Sequence, residues 1–308
     1  MKKILITGSS GFLGAKLISY LRFTNQDLAI RTLGRSTPKN LRCENFHCDF
    51  EKDQIPEEAF TDIDTIFHLA GCAHDTRNSE KNYERYFKVN VDVTTKLAEL
   101  AKKHNVKKFI YVSSVKAGLN TLYDICPNES SIGKANDLYG ITKRDAELKL
   151  LEIQERTNLQ IIIVRPALVY GPNQKGNLDM MFKGIKQGWF PPLPKLFNRR
   201  SMIHIDDLIR AIVFLENYKN ANGEIFIVTD GYLYSSDEIY EVMCKILNKP
   251  VPKYRTPKFL FIILKILIPK LKLKIDKILG DECYSSKKLE KIGFKAEKTL
   301  KDMNETNF

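Results

Sequence analysis

Tyr139 and Lys143 stand four residues apart in the run Leu138-Tyr139-Gly140-Ile141-Thr142-Lys143. On a helix that spacing puts both side chains on one face. A phenol with an ordinary pKa of about 10 is a poor base near neutrality, and a neighbouring ammonium favours its ionised form. The pair is therefore suited to exchanging a proton with a hydroxyl or a carbonyl. Ser114, twenty-five residues before Tyr139, closes a predicted strand and is placed to give a hydrogen bond to the same oxygen. A preorganised donor of this kind stabilises negative charge as it develops. Tyr-x-x-x-Lys is common by chance, but Ser113-Ser114 at a strand end upstream of it is not.

A second group of residues binds rather than reacts. Gly8, Gly11 and Gly14 lie between an apolar strand and an amphipathic helix. The first suits a tight turn, the second a close approach to a pyrophosphate, and the third close packing of helix on strand. The helix that follows offers unpaired N–H groups and the positive end of its dipole. This is the pattern of a dinucleotide site. The end of the next strand reads Ile30-Arg31-Thr32-Leu33-Gly34-Arg35-Ser36, without the acid that usually holds a ribose 2′-hydroxyl. Arg35, with Arg31 as second candidate, is read as meeting a 2′-phosphate, so NADP is favoured and NAD stays open. Asp49 is read as capping the adenine edge.

These residues need a frame. Strands are predicted over 3–7, 28–33, 65–69, 108–113, 160–165 and 224–229, and helices over 84–104, 137–156, 206–218, 236–247 and 285–292, with Asp206 a candidate N-cap. Strands alternating with helices imply an α/β fold, a Rossmann-type parallel sheet with helices on both faces. Residues 1–165 read as the cofactor-binding domain. Residues 166–308 read as a smaller C-terminal substrate-binding lobe, with some elements returning to the sheet.

The 308 residues include 49 Lys and Arg against 37 Asp and Glu, a formal charge of +12, with 43% hydrophobic residues. That excludes a disordered or collagen-like chain. The six cysteines form no Cys-x-x-Cys pair and no His/Cys cluster, so free thiols in a reducing cytoplasm are expected. The N-terminus reads as a first strand rather than a leader, and no run reaches 18 apolar residues. Charge is concentrated: residues 253–277 hold eight basic residues and one acid, a net +7, leaving +5 for the other 283. No nucleic-acid module accompanies it, so nucleic acid is not an expected partner. The apolar run Phe259–Leu264 among those lysines suits either peripheral membrane contact or a plain solvated helix pair.

The chain resembles the extended short-chain dehydrogenase/reductase superfamily, in its nucleotide-sugar epimerase/dehydratase branch. The resemblance rests on Thr7–Gly14, His68-Leu69-Ala70-Gly71, Asn90, Ser113-Ser114, Tyr139–Lys143, Arg165–Pro172 and Arg200–Leu208. It implies catalytic roles for Ser114, Tyr139 and Lys143, with Lys143 also holding the nicotinamide ribose. It implies a cofactor site built from Gly8, Ser10, Gly11, Phe12, Leu13, Gly14, Arg35, Asp49, Phe50, Leu69, Ala70, Gly71, Asn90, Lys143 and Pro166. Lys116, Asn177 and Arg200 are implied to bind a UDP-sugar, and Arg200 has the fork that suits a phosphate. His204 reads as a packed structural histidine, and Lys175 as a loop charge or a phosphate contact. No metal is expected.

Within that branch the chain looks like enzymes of bacterial surface-polysaccharide synthesis acting at C4 of a UDP-sugar. The main expectation is reduction of a UDP-4-keto-6-deoxy-N-acetylhexosamine, with Tyr139 as acid. The alternative is a UDP-glucose or UDP-N-acetylglucosamine 4-epimerase that retains NAD, and a third reading is a non-catalytic NADP-binding protein. Ser114-Val115-Lys116 lacks the acids that a dehydratase usually places after its catalytic serine or threonine. The family also implies a homodimer, through a bundle that includes residues 84–104 and 137–156.

Overall fold

The computed structural model describes the chain apart from residues 1, 37–42, 74–79, 119–124, 132, 134, 136, 175 and 307; Lys175 thus lies outside the described residues. Five strands come first: β1 (Lys3–Thr7), β2 (Ala29–Leu33), β3 (Glu44–Phe46), β4 (Thr65–His68) and β5 (Lys108–Val112). They are joined by β6 (Gln160–Pro166) and, from far along the chain, β9 (Ile225–Val228). The seven form one sheet in the order β3-β2-β1-β4-β5-β6-β9, and every pairing is parallel. Runs such as Ile161-Ile162-Ile163-Val164 are buried throughout, as a sheet covered on both faces requires.

Helices α1 (Phe12–Thr24) and α6 (Ile205–Asn217) cover one face. There Leu17, Ile18 and Leu21 meet Leu208, Ile212 and Leu215 over Ile4 and Ile6. Helices α3 (Val93–Lys103) and α4 (Leu138–Glu155) cover the other, with Leu97, Ala101, Ala146 and Leu150 on Leu5, Phe109 and Ile163. Between α2 (Glu80–Phe87) and α3 the helix widens into a π turn over Lys88–Asp92, a feature common at functional sites.

After β6 come a small sheet and a helical region. The sheet holds β10 (Leu233–Tyr234), β8 (Arg200–His204) and β7 (Leu168–Tyr170) in that order. Around it lie α5 (Asn177–Gln187), α7 (Ser236–Ile246), α8 (Lys258–Leu267) and α9 (Lys272–Leu279), while α10 (Lys287–Lys291) returns to the main sheet and packs on β9. Ser235 and Glu238 form a capping box at α7. A third apolar cluster fills this region, with Met181, Phe190, Tyr240, Met243, Phe261 and Ile275.

Two expectations fail here. His204, not Asp206, caps α6, its ring accepting from the Asp206 N–H at 3.2 Å. Asp206 sits in the first turn, where Lys16 and Lys298 hold its carboxylate. The cysteines are not all free either: Cys126 and Cys283 form a disulfide across 157 residues of sequence, leaving Cys43, Cys48, Cys72 and Cys244 as thiols. The fold brings together two cysteines that spacing alone leaves unrelated.

Candidate active site

The parallel register builds the first part of the site. Thr7 pairs with His68, so Gly8 and Leu69-Ala70 leave the sheet side by side, where the strand order reverses direction around β1. Gly8 has φ +71°, and a Cβ there would lie 2.7 Å from the Ala70 nitrogen. A Cβ on Gly14 would lie 2.2 Å from the Gly8 carbonyl oxygen. Both positions therefore exclude any side chain, as the sequence argument required. His68, fully buried between the Thr7 and Thr94 hydroxyls, is pulled down to about 3 by desolvation and then by the Lys143 charge.

A cleft of about 260 Å³ opens on this edge. Gly8, Ser10, Gly11, Arg35, Asp49, Phe50, Leu69, Ala70 and Gly71 line it, together with Ser9, Glu51, Cys72, Arg85 and Val89, which sequence reasoning missed. Phe12, Leu13 and Gly14 continue into α1, where the first two pack against the core. Pro166 ends β6 against Val228. Arg35 is exposed at the cleft edge. Arg31 is not available: it pairs with Glu44 at 2.8 Å and donates to the carbonyls of Glu58, Ala59 and Thr61. A side chain that satisfies four internal acceptors cannot also reach a ribose phosphate.

Asn90, carried by the π turn, ties the cleft to α4. Its amide donates to the Cys72 carbonyl at 3.2 Å and to Thr142 Oγ1 at 3.0 Å, and its oxygen accepts from the Cys72 N–H at 2.8 Å. A Cβ on Gly71 would lie 3.3 Å from Lys143 Nζ. The cleft therefore ends against Lys143.

Asp137 caps α4 through the Gly140 N–H at 2.8 Å and so fixes the turn that carries Tyr139. Lys143 Nζ donates to the Val112 carbonyl at 2.9 Å and lies 4.5 Å from the Tyr111 ring centre. Burial pulls the Lys143 ammonium down to about 7, with Glu147 one turn on opposing it. Burial likewise pushes the Tyr139 phenol up to about 12, against the Ser114 hydrogen bond, which pulls it down. The expectation that Lys143 lowers the Tyr139 pKa therefore fails in this state. Desolvation dominates both groups, and the ammonium is directed at a backbone carbonyl and an aromatic face.

Ser114 and Lys116 lead across to a second cavity. Ser114 Oγ accepts from the Lys116 N–H at 3.2 Å, and a Cβ on Gly140 would lie 2.3 Å from the Lys116 carbonyl oxygen, so this turn is pressed against α4. Lys116, Asn177 and Arg200, the residues implied to bind a UDP-sugar, all line the second cavity. With them stand Leu178, Met181, Phe190, Ile239 and Ile278, and three charged residues that the sequence reading did not place there: Lys274, Lys277 and Glu282. Burial alone would lower the Lys116 pKa, but Asp137, 3.0 Å away, and Glu282 after it raise it, and the net direction is up. Lys277 is lowered by burial and then by Lys116. Arg200 donates to Glu282 Oε2 at 2.7 Å and to the Lys277 carbonyl. His204 is buried against Tyr170, in the structural role expected. Among the described residues no group of His, Cys, Asp and Glu could hold a metal ion.

A parallel sheet whose switch point carries this glycine turn, with a Ser–Tyr–Lys set at the end of the cleft, defines a dinucleotide-binding α/β protein. Residues 4–229 match the model of the NAD dependent epimerase/dehydratase family, and the chain belongs to that family. It is 29% identical to UDP-glucose 4-epimerase of Vibrio cholerae over 98% of this chain and 93% of that one. It is 26% identical to N-acetyl-alpha-D-glucosaminyl-diphospho-ditrans,octacis-undecaprenol 4-epimerase of Escherichia coli O157:H7, over 82% and 75%. Its fold matches UDP-glucuronic acid 4-epimerase of Bacillus cereus in complex with NAD, at TM-score 0.79 and 22% identity, over 99% and 96%.

Proposed function

We propose that the chain is an NAD-dependent 4-epimerase of a UDP-sugar, with residues 1–165 mainly holding cofactor and 166–308 mainly holding substrate. The observation that carries this reading is that the Ser114, Tyr139 and Lys143 set touches residues of both cavities: Gly71 of one stands beside Lys143, and Lys116 of the other donates its N–H to Ser114. On one side lies the glycine-lined cleft, on the other the cationic cavity of Lys116, Asn177 and Arg200. The cleft fits an extended dinucleotide because Gly8 and Gly14 let strand, turn and helix close up on one another, leaving Gly11 exposed in the cleft at the head of α1. The 4-epimerase names of its relatives favour this reading over the one-way reduction expected from sequence.

A nicotinamide dinucleotide bound there supplies the hydride acceptor and donor for C4. The chain supplies the rest. Arg200 and Lys116 hold the diphosphate and so set the sugar against Tyr139. Tyr139, having first released its own proton to solvent, would take the C4 hydroxyl proton as phenolate and, as the phenol so formed, return it to the C4 oxygen when hydride comes back. Ser114 Oγ donates to the same oxygen, with its own acceptor site filled by the Lys116 N–H. Lys143 is fixed by Val112 where the cleft ends.

A second reading keeps one specific support. Tyr139 is held protonated at neutral pH, and Arg35 stands at the cleft where an acid would favour NAD. Both suit reduction of a 4-keto sugar by NADPH. The deciding experiment incubates purified protein with UDP-glucose and UDP-N-acetylglucosamine without added reductant and identifies products by NMR. The epimerase reading requires the C4 epimer, with kcat falling by about 10²–10⁴ in Tyr139→Phe and KM little changed. Absence of epimer from NAD-loaded protein, together with stoichiometric NADPH oxidation by a 4-keto sugar, would establish the reductase instead.

The protein is proposed to act as a homodimer through α3 and α4. Ile141 and Leu148, two turns apart on α4, are 40% and 45% exposed and offer an apolar contact there.

A further inference from the structure

Helix α8 wears its apolar side outward. Of its ten residues only Phe261 is buried. Phe259, Ile262, Ile263 and Ile266 recur at helical spacing and share the opposite face, with exposures of 58%, 46%, 44% and 72%. Leu267 and, on α9, Leu273 extend the patch at 71% and 59%. A lone exposed leucine needs no explanation, but a contiguous face of this kind marks an interaction surface.

The charge around the patch selects the partner. Lys253, Lys258, Lys272 and Lys274 are exposed. Asp276, the one acid among residues 253–277, is already taken by Lys265, which also ties α8 to α9. A second copy of this chain seated on the same face would bring like charge against like. An anionic bilayer complements both features at once: acyl chains for the aromatic and branched residues, headgroups for the lysines. Spanning is excluded by length, since ten residues are half of what a bilayer core requires, and among the described residues no helix is long and apolar enough to cross a membrane.

We infer that the α8–α9 hairpin docks in the plane of an anionic membrane surface, with Phe259, Ile262, Ile263 and Ile266 in the headgroup–acyl boundary and Lys258 and Lys272 on the headgroups. The same hairpin carries Lys274 and Lys277 into the cavity that holds Arg200. Docking therefore sets the mouth of the substrate cavity at the membrane surface. The inference rests on this surface and not on the reaction proposed above.

The test is flotation of the full-length protein with vesicles of phosphatidylcholine alone and of phosphatidylcholine mixed with phosphatidylglycerol. Binding is expected to the mixed vesicles, weaker to the neutral ones, and reduced by salt. Ile263→Glu with Ile266→Glu should weaken it by about tenfold or more. Lys258→Glu and Lys272→Glu should each weaken it by at least about fivefold on mixed vesicles only. All four positions face solvent or its edge, so the variants should keep the wild-type melting temperature. Equal binding to both vesicle types, no binding, or binding untouched by the isoleucine pair would overturn the inference. So would a concentration-dependent dimer, formed without lipid, that Ile266→Glu dissolves. None of these outcomes depends on turnover, so they are distinct from failure of the epimerase reading.

Discussion

Glu147 is the most consequential buried charge in the protein. It lies one turn beyond Lys143 on α4 and is fully buried, and its carboxylate takes Arg165 in a fork, Nε to Oε1 at 2.8 Å and Nη2 to Oε2 at 2.5 Å. Arg165 is 2% exposed, and Arg144 adds a contact at 3.3 Å. Glu147→Gln removes the charge but keeps the shape, leaving the Arg165 guanidinium buried without a counter-charge. Removing one partner of such a pair costs about 3–5 kcal/mol. With an unfolding entropy of about 2.1 cal/mol/K per residue over 308 residues, that corresponds to a fall in Tm of about 5–8 °C. Thermal unfolding followed by circular dichroism would read it directly. Glu147→Leu combined with Arg165→Met removes both charges and should recover most of the loss, to within about 1 kcal/mol. The variant also reaches the site, because Glu147 opposes the discharge of Lys143. In Glu147→Gln the Lys143 ammonium should therefore titrate below about 7, visible at its labelled Cε by NMR. A Gln variant melting within about 1 °C of wild type, or a double variant less stable than either single one, would refute the reasoning.

Two further outcomes are expected. His68 is neutral in the fold down to about 3, but takes a proton near its ordinary value of 6.5 when unfolded. Because the unfolded chain binds the extra proton, stability due to this group is lost as pH falls from about 6.5 to 3, at up to about 1.4 kcal/mol per pH unit. Denaturant titrations across that window should show a shallower dependence for His68→Asn than for wild type, and identical slopes would rule out the buried neutral imidazole. The disulfide predicts four titratable thiols in denatured, unreduced protein and six after reduction. On the chain-entropy view its 157-residue loop contributes about 5 kcal/mol, so Cys283→Ser should lower stability by an amount of that order; six thiols without reductant would contradict the pairing.

Much of the fold was legible because it is written in local periodicity. Six of the seven strands of the main sheet follow from short buried runs separated by amphipathic helices, each within a residue or two of that observed; β3, with two of its three residues exposed, offers no such run and was not predicted. Gly8, Gly14 and Asn90 stand where the motif argument placed them, because parallel register fixes what leaves each strand end. Long-range features were not legible. The Cys126–Cys283 pair depends on bringing the segment before α4 against the one after α9. Lys274, Lys277 and Glu282 read as surface charge until the chain folds back over β8. The small sheet was missed because β7 and β10 are three and two residues long, too short for an alternation to register. The protonation of Tyr139 was misjudged because spacing reports which groups are neighbours and not how dry they are.

The pairing of Arg200 with Glu282 gives the second cavity a built-in competitor. A ligand does not meet a bare guanidinium there; it must evict a carboxylate already seated at 2.7 Å. A singly charged group offers no more than the one it displaces. On the proposed reading, a diphosphate would exchange with Glu282 and still reach Lys116 and Lys277, which line the same cavity. Selection for doubly phosphorylated ligands would, on that reading, come through rivalry rather than through added attraction. Glu282 is followed at once by the bridged Cys283, so the backbone that carries this rival is anchored by a covalent tether.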